Sequence, residues 1–413
     1  MGRALEGIRV LEMTIAVAGP VCCHVLGDMG AEVIKVEEPR SRAKTPMHLP
    51  KPAADAPDNP FNRVVNFNEL NRSKRLLSLN VAKDEGRDIY LKLAEQCDVM
   101  VENFAPRVVG NLGIDYESVR KVNPGIIYVS MPAFGKTGPY KDRGSYGPGI
   151  DAMSGISHLT GYPDRNPGKP ANFFCDQNAG LHAAFAILTA LRHRRRTGEG
   201  QYVEMSMLEG ELQAVAPAIM DVTLNGRDRV RSANRHDWFA PHGVYACSGE
   251  DAWVAIAVTS DEQWTALCGV IGRMDLAQDP KYRLQVDRHA NQEAIDPILA
   301  AWTQDQTRAA VQEKLQAVGV PAGAVLHVDE LFDDAQLQHR GSFAWAEHSE
   351  LGPFPHTRTA WLSEQGNDGV SRPGPTFGSA NDYVFRDLLG MSDADVQRLI
   401  ESEVTSYTPL SGA

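Results

Sequence analysis

"GIRVLEMTIAVAGPVCCHVLGDMGAEVIKVEEP" (residues 7–39) is the stretch that decides the fold. Its first part, "GIRVLEMT" (7–14), is a short apolar run of the length expected for a buried strand. "GPVCCHVLGDMG" (19–30) reads as a helix entered at Pro20 and left at Gly30, the positions where those residues are best tolerated. "AEVIKVEEP" (31–39) is strand-like again, which makes a βαβ unit. The alternation continues through "LLSLNV" (76–81), a helix near 84–95, "DVMVENF" (98–104), a short helix and "GIIYVSM" (125–131). Strands alternating with helices predict an α/β fold with a mainly parallel sheet covered on both faces.

The 413 residues exceed the roughly 250–300 at which a single core stops growing, so two domains, or one domain with a large insertion, are expected. Charged residues make up 23% of the chain and the net charge is −12, which argues against a general nucleic-acid or anionic-membrane binder. The six cysteines are scattered without a CxxC pair, so neither a zinc site nor a disulfide framework is indicated. No apolar signal core and no spanning run of about 18 residues is present, and the reading is a cytoplasmic protein.

Between the second and third strands, "PRSRAKTPMHLPKPAADAPDNP" (39–60) is too rich in proline for helix or sheet. It reads as an exposed loop over the strand ends, where an open α/β sheet places its ligand. Farther on, "LHAAFAILTALRHRRRTGEG" (181–200) is a helix ending near Gly198. Its Leu181, Ala184, Phe185, Leu188 and Leu191 share the face expected to dock on the core. A strand and a helix closed by Gly226 occupy 201–226. After irregular chain from 227, a hairpin at 244–258 turns at Gly249, and helices near 260–273, 293–302 and 307–318 suit a smaller α+β domain. Strand-like "FAWAEH" (343–348) and a helix near 391–402 complete the chain.

Several residues invite a chemical reading. Glu37 and Glu38 stand where a nicotinamide-binding fold carries its ribose acid, but the turn "TIAVAGP" lacks the G-x-G-x-x-G that a pyrophosphate needs. Basic residues recur after strands: Arg40 and Arg42, then Arg72, Lys74 and Arg75, then Arg107, then Lys136, Lys141 and Arg143. They are either solvated loop charges or a cradle for a phosphorylated ligand. In "FFCDQNAG" (173–180), Asp176 stands at the mouth of the long helix, where free N–H groups and the positive dipole end favour a carboxylate. Two roles are open to it, a structural N-cap or a nucleophile toward an activated acyl group. Cys175 with His182 as base is a competing pair, although a buried structural thiol is commoner.

Taken together, "GIRVLEMTIAVAGP", "LGDMGAEVIKVEEP", "NRSKRLLSLNV", "DVMVENFAP", "NPGIIYVSMPAFGKTGP" and "HRRRTGEGQYVEMSML" resemble the family III CoA-transferases, over nearly the whole chain. The resemblance implies a Rossmann-like large domain built from both chain ends (1–200 with 330–413), a linker helix region (201–226) and a small α+β domain (227–325), in an interlocked homodimer. It implies transfer of CoA from an acyl-CoA to a carboxylic acid, with Asp176 as nucleophile. No prosthetic group and no metal are expected. It places CoA contacts at Val17, Ala18, Arg40, Arg72, Lys74, Arg75, Asn103, Phe104, Ala105 and Arg107, and Lys136, Arg143 and Tyr146 are assigned to the same ligand.

Related racemases carry a histidine base at the position of Tyr146, and a phenol of ordinary pKa near 10 is a poor base at neutral pH. Transfer is therefore preferred over the racemase-like epimerase or a noncatalytic CoA-binding module. Two departures touch the acyl pocket: Val17 replaces a family glutamine, and "SANRHDWFAPHG" (232–243) stands in for a glycine-rich substrate loop. Trp238, Phe239 and His242 are the substrate-pocket residues this predicts, for an acyl group larger or less polar than oxalate or formate.

Overall fold

The computed structural model describes residues 2–41, 49–170, 172–364 and 369–411. Arg42 and residues 43–48 of the loop expected over the strand ends lie outside that set. The chain divides into two compact units: residues 1–157, 169–228 and 336–413 form the first, and 158–168 with 229–335 form the second. This division differs from the sequence expectation. The helix at 207–225 falls within the first unit, and the segments 158–168 and 330–335 go to the second.

The first unit is built on six parallel strands in the order β3-β2-β1-β4-β5-β6. They are β1 (Arg9–Met13), β2 (Glu32–Glu37), β3 (Lys74–Ser78), β4 (Val99–Glu102), β5 (Ile127–Ser130) and β6 (Gln201–Glu204). The helices are α1 (Ala18–Asp28), α2 (Val65–Leu70), α3 (Asp84–Glu95), α4 (Pro106–Leu112), α5 (Tyr116–Val122), α6 (Gly147–Met153), α7 (Ile156–Leu159), α8 (Phe174–Thr197) and α9 (Met207–Asn225). Val10, Leu11, Val99, Met100, Val101 and Ile127 are fully buried, as strands covered on both faces require. The strand order reverses beside β1, between β1 and β4, and in such sheets the ligand crevice opens at that switch point, beyond the carboxyl ends of the strands.

Helix α8 packs along α1, and the face it buries is only partly the one the periodicity suggested: Ala184 is buried and Leu188 and Leu191 pack on the core, but Leu181 and Phe185 do not. Cys175, Asp176, Ala179, Gly180, Ala183, Ala184, Ile187 and Ala190 are buried, whereas Leu181 is 51% and Phe185 72% exposed. The small residues allow close helix approach. A Cβ at Gly180 would stand 2.6 Å from Val21 Cγ1 and 2.8 Å from the Ala18 carbonyl. Gly198, in the left-handed conformation, ends α8 as expected.

The second unit has a three-stranded antiparallel sheet of β7 (His242–Ala246), β8 (Trp253–Ala257) and β9 (Ala322–Ala324). Five helices accompany it: α10 (Asp261–Val270), α11 (Met274–Gln278), α12 (Gln285–Ala290), α13 (Gln292–Thr303) and α14 (Arg308–Gln316). Its own core gathers Trp264, Leu267, Ile295, Leu299, Val311 and Leu315. After α15 (Ala335–His339), the first unit is completed by the hairpin of β10 (Phe343–His348) and β11 (Gly352–Thr357) and by α16 (Asp393–Glu401). Ser392 and Asp395 form a capping box at the start of α16.

Candidate active site

Three short segments converge beyond the sheet's carboxyl ends. The β1–α1 turn places Ala16 at φ 57°, a left-handed conformation that a non-glycine residue adopts only when its surroundings hold it there. Asn103, just after β4, does the holding: its amide accepts from the Ile15 N–H at 2.8 Å and donates to the Ile15 carbonyl at 2.9 Å. The third segment is the first turn of α8.

Asp176 is the third residue of that helix. Phe173 occupies the cap position with φ 60°, and no side chain caps the helix end, so Asp176 is not an N-cap. Its carboxylate accepts the backbone N–H of Ala18, the first residue of α1, as well as its own N–H. It is 6% exposed. Burial raises its pKa above the ordinary carboxylate value and the charge of Asp151 raises it further, outweighing the pull of the N–H groups. The helix mouth therefore does not make this acid stronger; desolvation makes it more basic. Space for the carboxylate is reserved at Gly147, where an added Cβ would lie 2.0 Å from Asp176 Oδ2.

Beside Asp176 is a cavity of about 70 Å³ lined by Ile15, Ala16, Asn103, Phe104, Ala105, Arg143, Tyr146 and Met207, among others. Of the residues assigned to CoA from the sequence, Asn103, Phe104, Ala105, Arg143 and Tyr146 are thus gathered at the carboxylate. Val17 and Ala18 are buried in the turn, where Ala18 presents its N–H to Asp176. Arg107 and Lys136 are exposed, and the Lys136 ammonium lies 4.7 Å from the Tyr202 ring centre. Arg40 is half-buried and paired with Glu403 at 2.6 Å.

Three assigned cations are held elsewhere. Lys74 is 1% exposed and bonds Glu12, the Pro20 carbonyl and Asn71. Arg72 is buried against Asp28, at 3.0 and 2.9 Å, and against Glu69 at 2.7 Å. Arg75 pairs with Glu32 at 3.1 Å, stacks on Tyr383, and lines a separate cavity of about 680 Å³ that does not include Asp176. The cations of the "NRSKR" segment are thus ion-paired within the fold, Lys74 and Arg72 to the buried acids Glu12 and Asp28, rather than gathered at Asp176. Trp238, Phe239 and His242 lie in the second unit, where His236 stacks on Phe239 with ring centres 4.5 Å apart and faces His242 at 5.4 Å.

The competing Cys175–His182 pair does not form. The His182 ring is 3.0 Å from the Asn178 carbonyl. Burial pushes the Cys175 thiol well up, and nearby acids push it further, so it stays protonated at neutral pH. Two acids that the sequence reading passed over stand beside it: Asp151 on α6 and Glu211 on α9. The donor atoms of Asp151, Cys175 and Glu211 all lie within 4.8 Å of one another, and all three residues are buried. Burial, then Asp151, raises the pKa of Glu211. Glu211, one of two acids with Glu209 in the otherwise apolar run "MLEGELQAVAPAIM" (207–220), was the available signal.

Residues 5–381 match the family model described as CoA-transferase family III. A succinyl-CoA–D-citramalate CoA-transferase of Chloroflexus aurantiacus is 32% identical over 96% of this chain and 97% of its own length. A succinate–glutarate CoA-transferase of Agrobacterium fabrum is 32% identical over 93% and 95%. Among solved structures, a CAIB/BAIF family protein from Brucella suis superposes with a TM-score of 0.84 at 31% identity, covering 94% of this chain and all of that one. With a matched span that includes Asp176 and every segment around it, the chain belongs to CoA-transferase family III.

Proposed function

We propose that this enzyme moves CoA from an acyl-CoA to a carboxylic acid by way of a covalent bond to Asp176. The observation that carries the reading is a buried carboxylate of raised basicity at the floor of a cavity whose neighbouring thiol is held protonated. The Asp176 carboxylate attacks the thioester carbonyl, the C–S bond breaks, and CoA leaves as thiolate from a mixed anhydride. The thiolate then attacks the aspartyl carbonyl of that anhydride, releasing the donor acid and leaving an aspartyl-CoA thioester. The acceptor carboxylate repeats the exchange in reverse, forming a second anhydride that the thiolate opens to the new acyl-CoA. No proton and no electron is consumed.

Both anhydrides are open to hydrolysis, and a small cavity floored by a 6% exposed carboxylate keeps water from them. Asn103 fixes the turn that carries the Ala18 N–H. Arg107, Lys136 and Arg143, exposed near the strand ends, are assigned to the CoA phosphates. Succinyl-CoA and a dicarboxylic acid are the proposed donor and acceptor classes, because the relatives named above act on them. Self-association in the cytoplasm belongs to the same reading, supported by the apolar side chains of Leu181, Phe185, Met220 and Leu224 that a single chain leaves exposed.

Incubation with acyl-CoA followed by hydroxylamine and peptide mass spectrometry tests the proposal. A hydroxamate at residue 176 is expected. Turnover with no modification of that peptide would overturn it, and deuterium appearing at the alpha carbon would favour epimerisation instead.

A further inference from the structure

Behind the nucleophile, α6, α8 and α9 pack against one another and each turns an acid inward: Asp151, Asp176 and Glu211. Glu211 is 0% and Asp151 2% exposed. Taken as ionised groups, both Glu211 oxygens and Asp151 Oδ1 would be buried with no hydrogen-bond partner. Two such carboxylates cannot both stay charged at this separation without a cation. The groups that face them are Asp176 and Cys175 from α8 and Ser154 from the end of α6. None is a cation, and His182, farther along α8, bonds to Asn178.

We infer that Asp151 and Glu211 share a single proton behind Asp176, so that the nucleophile faces one negative charge rather than two. The Glu211 carboxyl donates to the Asp151 carboxylate, which satisfies both groups and leaves the charge on the partner that acts on Asp176. The raised pKa values of Glu211 and Asp176 agree with this arrangement. The pair holds its proton throughout turnover and touches neither thioester nor acceptor; Asp151 and Glu211 are positioning residues. Their effect is electrostatic: the Asp151 charge makes Asp176 more basic, and a second charge from Glu211 would raise its pKa further and repel the anionic acceptor.

This inference rests on Asp176 being the nucleophile, so the test separates the two. The experiment compares pH profiles of kcat/KM from about pH 5 to 9 for wild type, Asp151→Asn and Glu211→Gln, with hydroxylamine trapping run on each. Asp151→Asn removes the charge beside Asp176 and should move the acid limb to lower pH by about one unit. Glu211→Gln keeps a donor to Asp151, so it should preserve the acid limb while abolishing the change that follows loss of the shared proton at higher pH. Difference infrared spectra of the wild-type protein should show a buried protonated carboxyl band that Glu211→Gln lacks, a readout that does not depend on Asp151→Asn folding. Profiles that differ from wild type only by a constant factor, or no such band, would overturn the pair while trapping at residue 176 still succeeds. So would a stoichiometric divalent metal retained by wild type and lost in Glu211→Gln. Failed trapping in the wild type would instead sink the nucleophile assignment itself.

Discussion

Glu12 and Glu102 end neighbouring parallel strands, one register step apart, and both are completely buried, yet they are treated in opposite ways. Glu12 receives Lys35 at 3.0 Å and Lys74 at 2.9 Å, with the Thr14 hydroxyl at 2.6 Å. Desolvation acts against its charge, but the two ammonium groups win and its pKa falls below the ordinary value. Glu102 has only the Phe104 N–H at 2.8 Å, the Ser130 hydroxyl and a distant Lys136, so burial prevails and its pKa rises to about 7. Around Glu12 the fold has supplied buried cations to hold the charge. From Glu102 across to Asp176, Asp151 and Glu211 it has gathered acids without pairing them to buried cations, which suits a site that must present a reactive carboxylate.

If that division is right, substitutions on the two sides fail differently. Asp176→Asn should give the largest effect, a loss of roughly 10⁴-fold or more in transferase kcat with an unchanged melting profile, since the carboxylate is the proposed bond-forming group. Near-wild-type turnover of that variant in a CoA-exchange assay would end the assignment. Glu12→Gln should spare the chemistry of any molecule that folds but cost about 3–5 kcal/mol in denaturant unfolding, because two buried lysines lose their counter-ion. A normal unfolding midpoint would show that the knot of Glu12, Lys35 and Lys74 is not what holds β1, β2 and β3 in place. Gly147→Ala sits between the two cases. Its Cβ must displace an oxygen 2.0 Å away, so kcat should fall about 100-fold through misplacement of Asp176, with little change in KM for CoA.

How much of this was legible in the sequence follows from the range of the forces involved. The βαβ alternation, the bounds of α3 and the end of α8 at Gly198 are local patterns and were read from residues close in sequence. The buried face of α8 was legible only in part. Leu181 and Phe185 have the right spacing, but the phase is set by α1, whose close approach demands Ala179, Gly180 and Ala183. The role of Lys74 was hidden for the same reason: its partner Glu12 is 62 positions away, and a lysine that binds phosphate looks the same in one dimension. Strand β11 has no clear strand signal in one dimension, since Pro353 and Pro355 argue against a strand, although on one edge of a two-stranded hairpin they are tolerated. Asp176 is legible as a carboxylate at a helix mouth; its two acidic neighbours come from α6 and α9 and meet it only in the folded chain.

The smallest effect expected is one of pH, and it distinguishes the two glutamates directly. Glu102, with a folded pKa near 7 against 4.5, contributes stability that is present below the unfolded value and is lost as pH rises through the folded one. Glu12, whose folded pKa is lowered, contributes stability present above its unfolded value and lost only as pH falls below about 4.5. Of these two glutamates, Glu102 is therefore the one whose contribution changes between about pH 5 and 7, and that contribution should fall by about 2 kcal/mol across the window. Glu102→Gln keeps a neutral group there at every pH, so its unfolding free energy, measured by urea titration at each pH, should lose the Glu102 share of the slope, about 2 kcal/mol over the window. If the variant kept the wild-type slope, the acid-lined side of the sheet would be as well balanced as the Glu12 side, and the contrast between them would fail.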